Sequence, residues 1–522
     1  MLPIKGTGLD DHYNYKVVRE GRKSGVLCHI TSLASPYGIG TLGDQALDFI
    51  DFLVLSGQSC WQILPLGVTG FGDSPYQSFS GNAGNPYMID PDELVREGLL
   101  PQGSPEQFDF GKRRACVDFG LMWENRRSLL RLAWDSFREG EFDSMEHEFA
   151  TFCEHENGTW LHDFALFMTI KTMQGGAPWS LWPLPYKLRD PVALLEFESA
   201  NADDLEFEKF LQFLFFRQWN SIRSYAANAG LEIIGDLPIY VAEDSVEVWM
   251  EPCLFELDET LKPTFVAGCP PDYFSDDGQL WGNPLYDWGA HKAQGYRWWI
   301  ERVRFQLRLY DTVRIDHFRG LESYWAVPNG DITARRGHWM PGPGDDLFDA
   351  LEGAFGSLPI IAEDLGYMTQ DVYAFRERRG FPGMKVLQFA FNPDASSDYL
   401  PHNLTENAVL NIGTHDNDTI AGWFAEAPPE EVAFAQRYLG LNEEEGFVHG
   451  MMRGAATTVC RTVIFQMQDL LGLDNESRMN RPGTSEGNWH WRMLPDSLTL
   501  ELAGRLRELS RISGRLSQAR EV

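Results

Sequence analysis

The chain has 522 residues, 43% of them hydrophobic and 13% aromatic, which is enough to bury a large core. Its 76 acidic residues outnumber 44 basic ones and leave a formal net charge of −32, a balance that repels nucleic acid and anionic membrane and favours a neutral or cationic partner. No uninterrupted apolar run approaches the ~18 residues that a membrane-spanning helix needs. The polar N-terminus lacks the apolar stretch of a signal peptide. Seven scattered cysteines form no C-x-x-C pair, so reduced thiols and a cytoplasmic location are expected.

In chain order, short apolar runs rich in β-branched residues read as strands. They are GVLCHITS from Gly25, CWQILPL from Cys60, EIIGDLPIYV from Glu232 and TVRIDHFRG from Thr312. PIIAEDLG from Pro359, MKVLQFAF from Met384, VLNIGTHDND from Val409 and RTVIFQMQDLL from Arg461 complete the set. Segments of helical period lie between most of them. Eight strands alternating with helices predict an α/β fold, a (β/α)8 TIM barrel. An open doubly wound sheet is the rival, but no glycine-rich nucleotide fingerprint supports it.

Two intervals exceed what one crossover helix needs. Residues 67–230 are expected to form a mainly helical insertion, in which Phe207, Phe210, Leu211 and Leu214 share a helix face. Residues 241–311 are the second insertion, and the last segment, 496–522, reads as a helix closing a single catalytic barrel. Insertions after the second and third strands stand on the C-terminal face, where barrel active sites sit.

Polar residues collect at the ends of these runs: Asp236, Arg314 with Asp316, Glu363, and His415 with Asp416. Several carboxylates without a ring of His or Cys suit glycoside chemistry, which needs one ionised carboxylate and one protonated acid. Arg314 shares a strand face with Asp316 and is expected to lower its pKa. Glu363 then becomes the acid, its pKa raised by burial. The neighbouring guanidinium disfavours a bound cation, so no metal or other cofactor is expected. Residues 71–87 and 268–288 interleave aromatic rings with amides and carboxylates; such rings offer flat contact to sugar faces, and the polar groups bind hydroxyls.

These segments closely resemble the 4-α-glucanotransferases of the amylomaltase (disproportionating enzyme) family, glycoside hydrolase family 77. The matching motifs are DSPYQSFS, GDLPIYV, GCPPDYFSDDGQLWGNPLYDW, VRIDHFRG, AEDLG, MKVLQF, GTHDND and DLLGLDNESRMNRPGTSEGNWHWR, spread over residues 73–492. The resemblance implies transfer of α-1,4-glucan segments to the 4-hydroxyl of an acceptor glucan or glucose by a retaining double displacement. Maltooligosaccharides and α-1,4-glucans derived from starch or glycogen are the implied partners. It makes Asp316 the nucleophile, Glu363 the acid/base and Asp416 the carboxylate that grips sugar hydroxyls. Tyr76, Asp236, Arg314, His317 and His415 are implied contacts of the transferred glucose, and Asn488 and Trp489 match the terminal motif. The lid loop 268–288 is implied to present Asp272, Tyr273, Phe274, Gln279 and Trp281. Cys269 departs from the small apolar residue expected there. Carboxylates alone do not separate transfer from hydrolysis, so an α-amylase-like hydrolase and a non-catalytic glucan-binding protein are the alternatives.

Overall fold

A computed structural model describes residues 21–517 apart from 71, 272–275, 394 and 485. Its strands are β1 (Lys23–Leu27), β2 (Cys60–Gln62), β3 (Glu232–Pro238), β4 (Phe265–Cys269), β5 (Gln279–Pro284) and β6 (Thr312–Asp316). They continue with β7 (Ser323–Pro328), β8 (His338–Pro341), β9 (Ile360–Ala362), β10 (Gly383–Val386), β11 (Ala408–Asn411) and β12 (Thr462–Gln466). Eight of these close a barrel in the order β1, β2, β3, β6, β9, β10, β11, β12, with every neighbouring pair parallel. Each of the eight expected runs overlaps one barrel strand, with β1, β10 and β11 starting one or two residues earlier than expected. Their apolar continuity has a direct cause: a parallel barrel strand is covered on both faces, and all residues of β1 and β11 are buried.

The other four strands form an antiparallel sheet in the order β5, β4, β7, β8, which was not expected. These strands are short and interrupted by glycine or proline, and β5 and β8 are half exposed, so the apolar signal used to find barrel strands is missing from them. The sheet stands beside the C-terminal end of the barrel, where Trp281 of β5 meets His317 just beyond β6. Asp272, Tyr273 and Phe274 lie outside the described residues.

Between β2 and β3 the chain is helical, dominated by the 27-residue helix Ala202–Asn228. It buries Phe207, Phe210, Leu211 and Leu214 against flanking helices, with Phe210 stacked on Phe137 at 4.7 Å between ring centroids. The final helix spans Leu500–Ile512 and begins where the Thr499 hydroxyl accepts from the Leu502 N–H. It buries Ala503, Leu506 and Leu509, while Ile512 stays exposed. Beyond it the chain turns back, and Arg515, 1% exposed, donates to the carbonyls of Lys23, Ala456, Thr458, Cys460 and Arg461 at the bottom of the barrel. Among the described residues no helix is long and apolar enough to cross a membrane.

Candidate active site

Strand β6 presents Val313 and Ile315 to the core and Arg314 and Asp316 to the barrel mouth. The β3–β6 register sets Asp236 directly opposite Arg314. Arg314 Nη1 donates to both Asp236 oxygens at 2.7 and 2.6 Å, and its Nη2 reaches Asp316 Oδ1 at 2.9 Å. One buried guanidinium is therefore divided between two carboxylates. Close packing beneath the pair needs a glycine at 235, because a Cβ there would come within 2.0 Å of the Tyr310 ring.

That division corrects the expected effect of Arg314 on Asp316. Burial pushes the Asp316 carboxyl above its ordinary range; Arg314 pulls it back only in part, and the Asp236 charge adds to the rise. The pull has the expected sign, but desolvation outweighs it.

Glu363 follows β9 and sits level with Asp316, since Ile315 pairs with Ala362. Its own N–H donates to the Ile315 carbonyl at 3.1 Å. Its carboxylate accepts from two backbone groups, the His317 N–H at 2.6 Å and the Leu365 N–H at 2.7 Å. The first bond depends on a left-handed turn at His317, φ 52°, a conformation costing a non-glycine residue roughly 1–2 kcal/mol. Burial pushes Glu363 up; Arg314 opposes this, the Asp316 charge reinforces it and the two N–H bonds oppose it. The net displacement is upward and larger than that of Asp316.

The opposite flank is a wall of rings. Tyr76 stacks on His415, with centroids 5.2 Å apart, and Trp489 lies 5.8 Å from each. The Tyr76 hydroxyl donates to Asp236 Oδ2 at 2.7 Å. Asp416, 42% exposed, stands at the mouth beyond β11, with His415 Nε2 at 3.4 Å and the Asn480 amide donating to it at 2.6 Å. Over the top, the Trp281 ring meets His317 edge-on at 4.6 Å, and its indole N–H donates to Gln279 Oε1 at 3.1 Å. Burial drives the His317 imidazole down to about 3, so it is neutral.

The structure thus gathers Tyr76, Asp236, Arg314, Asp316, His317, Glu363, His415 and Asp416 around one mouth, with Gln279 and Trp281 above. Two of the expected sugar contacts are engaged within the protein. Asp236 is 1% exposed, with both oxygens engaged by Arg314 and Tyr76, so it orients those side chains from below. Asn488 uses its amide on its own loop, accepting from the Arg481 N–H and donating to Thr484.

Sequence reasoning assigned no role to two further residues. Asn480 lies in the quoted RMNRPG segment and holds Asp416. Asp364 adjoins Glu363 but must point away from it, as strand alternation requires. Its buried carboxylate accepts from the Met384 N–H at 2.7 Å and pairs with Arg376, tying the end of β9 to β10 next to Glu363.

Comparison with known proteins adds a family. The model described as 4-alpha-glucanotransferase, of glycoside hydrolase family 77, matches residues 28–498. The 4-alpha-glucanotransferase of Clostridium butyricum is 47% identical over 489 residues, 93% of this chain and 99% of that protein. That of Thermus thermophilus is 47% identical over 502 residues, 95% of this chain and 99% of its own length. The amylomaltase from Streptococcus agalactiae, solved in complex with acarbose, superposes with a TM-score of 0.92 at 42% identity, covering 95% of this chain and all of that one.

Proposed function

The chain belongs to the 4-α-glucanotransferase family, glycoside hydrolase family 77, and on that premise we propose that it acts by a retaining double displacement on α-1,4-glucans. Asp316 attacks the anomeric carbon of the donor, and Glu363 gives its proton to the glycosidic oxygen as that bond breaks. The reducing-end segment leaves as an alcohol, and the remaining glucan is esterified to Asp316. An acceptor then enters. Glu363 takes the proton of its 4-hydroxyl, the new oxygen–carbon bond forms, and Asp316 departs as a carboxylate, so both groups return to their starting state.

The observation that carries this reading is the unequal environment of the two carboxyls. They lie on adjacent strands and interact, so they titrate as a pair. When the pair holds one proton, the more strongly raised Glu363 keeps it and Asp316 is ionised. This is the division of labour the reaction needs. Arg314, fixed by Asp236, adds positive charge beside the nucleophile. Tyr76, His415 and Asp416 surround the side on which the glycosyl unit is retained. The Trp281 ring above His317 narrows access for water, which favours a sugar hydroxyl as the acceptor.

Incubation with maltotriose, with products resolved by length, tests the reading. Oligosaccharides longer than the substrate are expected alongside shorter ones, with little net gain of reducing ends. Reducing ends that rise steadily without any longer product would establish a hydrolase instead.

A further inference from the structure

Outside the ring of residues used above, the mouth carries an aromatic stack with no part in the reaction as described. Strands β7 and β8 set Trp325 directly opposite Trp339, with the two rings 5.1 Å apart at 67°. Tyr367 continues the stack, 6.1 Å from Trp339 and inclined at 24°. Trp339 and Tyr367 keep 36% and 56% of their surface exposed. Beneath them, the buried Arg319 guanidinium lies 3.8 Å from the Trp339 centroid and 5.8 Å from that of Tyr367.

This stack is fastened to the acid. Tyr367 stands four residues beyond Glu363 on the loop leaving β9, so their Cα atoms are at most roughly 14 Å apart. Arg319 donates to the Tyr367 carbonyl and to the Ser323 hydroxyl at 3.0 Å. It sits two residues after His317, whose N–H holds the Glu363 carboxylate. The acid and the stack are thus fixed by the same two loops, those following β6 and β9.

Position selects the occupant. The retained glycosyl unit faces the Tyr76–His415–Trp489 wall on the β2 and β11 side. The glycosidic oxygen protonated by Glu363 belongs to the other part of the substrate, and that part must leave past the β6–β9 flank. Given the transferase reading above, on which this rests, we infer that Trp339 and Tyr367 form a binding platform for the reducing-side glucosyl residues of the donor and for the incoming acceptor. Partly exposed rings of this kind offer apolar contact to the C–H faces of pyranoses, and the arginine below supports both.

An α-maltosyl fluoride donor separates the two halves of the site, because fluoride leaves without occupying the platform. In Tyr367→Ala and Trp339→Ala, fluoride release without acceptor should equal that of the unmodified protein. KM for maltotriose as acceptor should rise roughly 2- to 12-fold, the range expected for losing one aromatic contact. Tyr367→Phe should restore the original value. Tyr367 is exposed and among the described residues its side chain meets the stack and the Arg319 guanidinium without a side-chain hydrogen bond, so its variant tests the idea even if Trp339→Ala loosens the sheet. An acceptor KM unchanged in Tyr367→Ala would overturn the platform, as would fluoride release falling in parallel with transfer. An unmodified protein that releases fluoride and never elongates an acceptor would instead overturn the transferase reading and remove the platform's purpose with it.

Discussion

At the scale of single residues, the central feature is one guanidinium serving two carboxylates. Arg314 gives its closest contacts to Asp236 and a further one to Asp316, which leaves Asp316 above an ordinary carboxyl and Glu363 higher still. The rate against pH should be bell-shaped, rising as Asp316 ionises and falling as Glu363 loses its proton. Both limbs should lie above the ~4 of free carboxyls. Stability carries the same sign. The native state holds protons that the unfolded chain releases near its ordinary carboxyl pKa, so these two groups stabilise the fold at lower pH, and that contribution fades as pH rises through their raised values. Glu363→Gln should lose roughly 10²- to 10⁴-fold on glucans, yet retain the first step on a glycosyl fluoride, with the alkaline limb gone. A profile on the fluoride donor that keeps its alkaline limb in Glu363→Gln would assign that limb to another group.

Among the elements, the barrel strands were legible because a parallel strand covered on both faces leaves a continuous apolar run. The β5–β4–β7–β8 sheet was not, since its short strands shield little core and FVAGC or HWMP reads as loop. The same contrast holds within the site. Arg314 beside Asp316 is visible as an alternation fault in one strand, whereas its stronger partner Asp236 lies 78 positions away and emerges only from strand register. Asn488 was singled out through its match to the terminal motif, and nothing local in the sequence reveals that its amide also closes a turn. The C-terminal segment holds a comparable surprise. One of its arginines, Arg515, is a buried plug that satisfies the carbonyls around the starts of β1 and β12. Replacing it with methionine keeps bulk but strands those acceptors, and should cost on the order of 3 kcal/mol. A lower urea midpoint with unchanged KM in the folded enzyme is the expected result, because the plug lies at the end of the barrel away from the mouth. An unchanged midpoint would show that water replaces the guanidinium at no cost.

For the whole molecule, the barrel supplies eight rigid strand ends and the insertions decide what approaches them. The helical insertion after β2 contributes the segment bearing Tyr76, the hairpin after β3 brings Trp281 over His317, and the terminal loop supplies Trp489 and Asn480. The net charge of −32 suits a neutral substrate, for which long-range electrostatic attraction has no role. In the mechanism proposed above, these parts converge on one chemical event, a transient ester between Asp316 and the transferred glucan. On that proposal Glu363→Gln should slow its breakdown, since no base would remain to activate the acceptor, while a fluoride leaving group should still allow it to form. Brief exposure of that variant to α-maltotriosyl fluoride, followed by proteolysis at low pH and mass spectrometry, should reveal a maltotriosyl group on the peptide containing Asp316, attached to that residue. Fluoride release that leaves every peptide unmodified, or a label on Asp236 or Asp416 instead, would contradict the double displacement through Asp316.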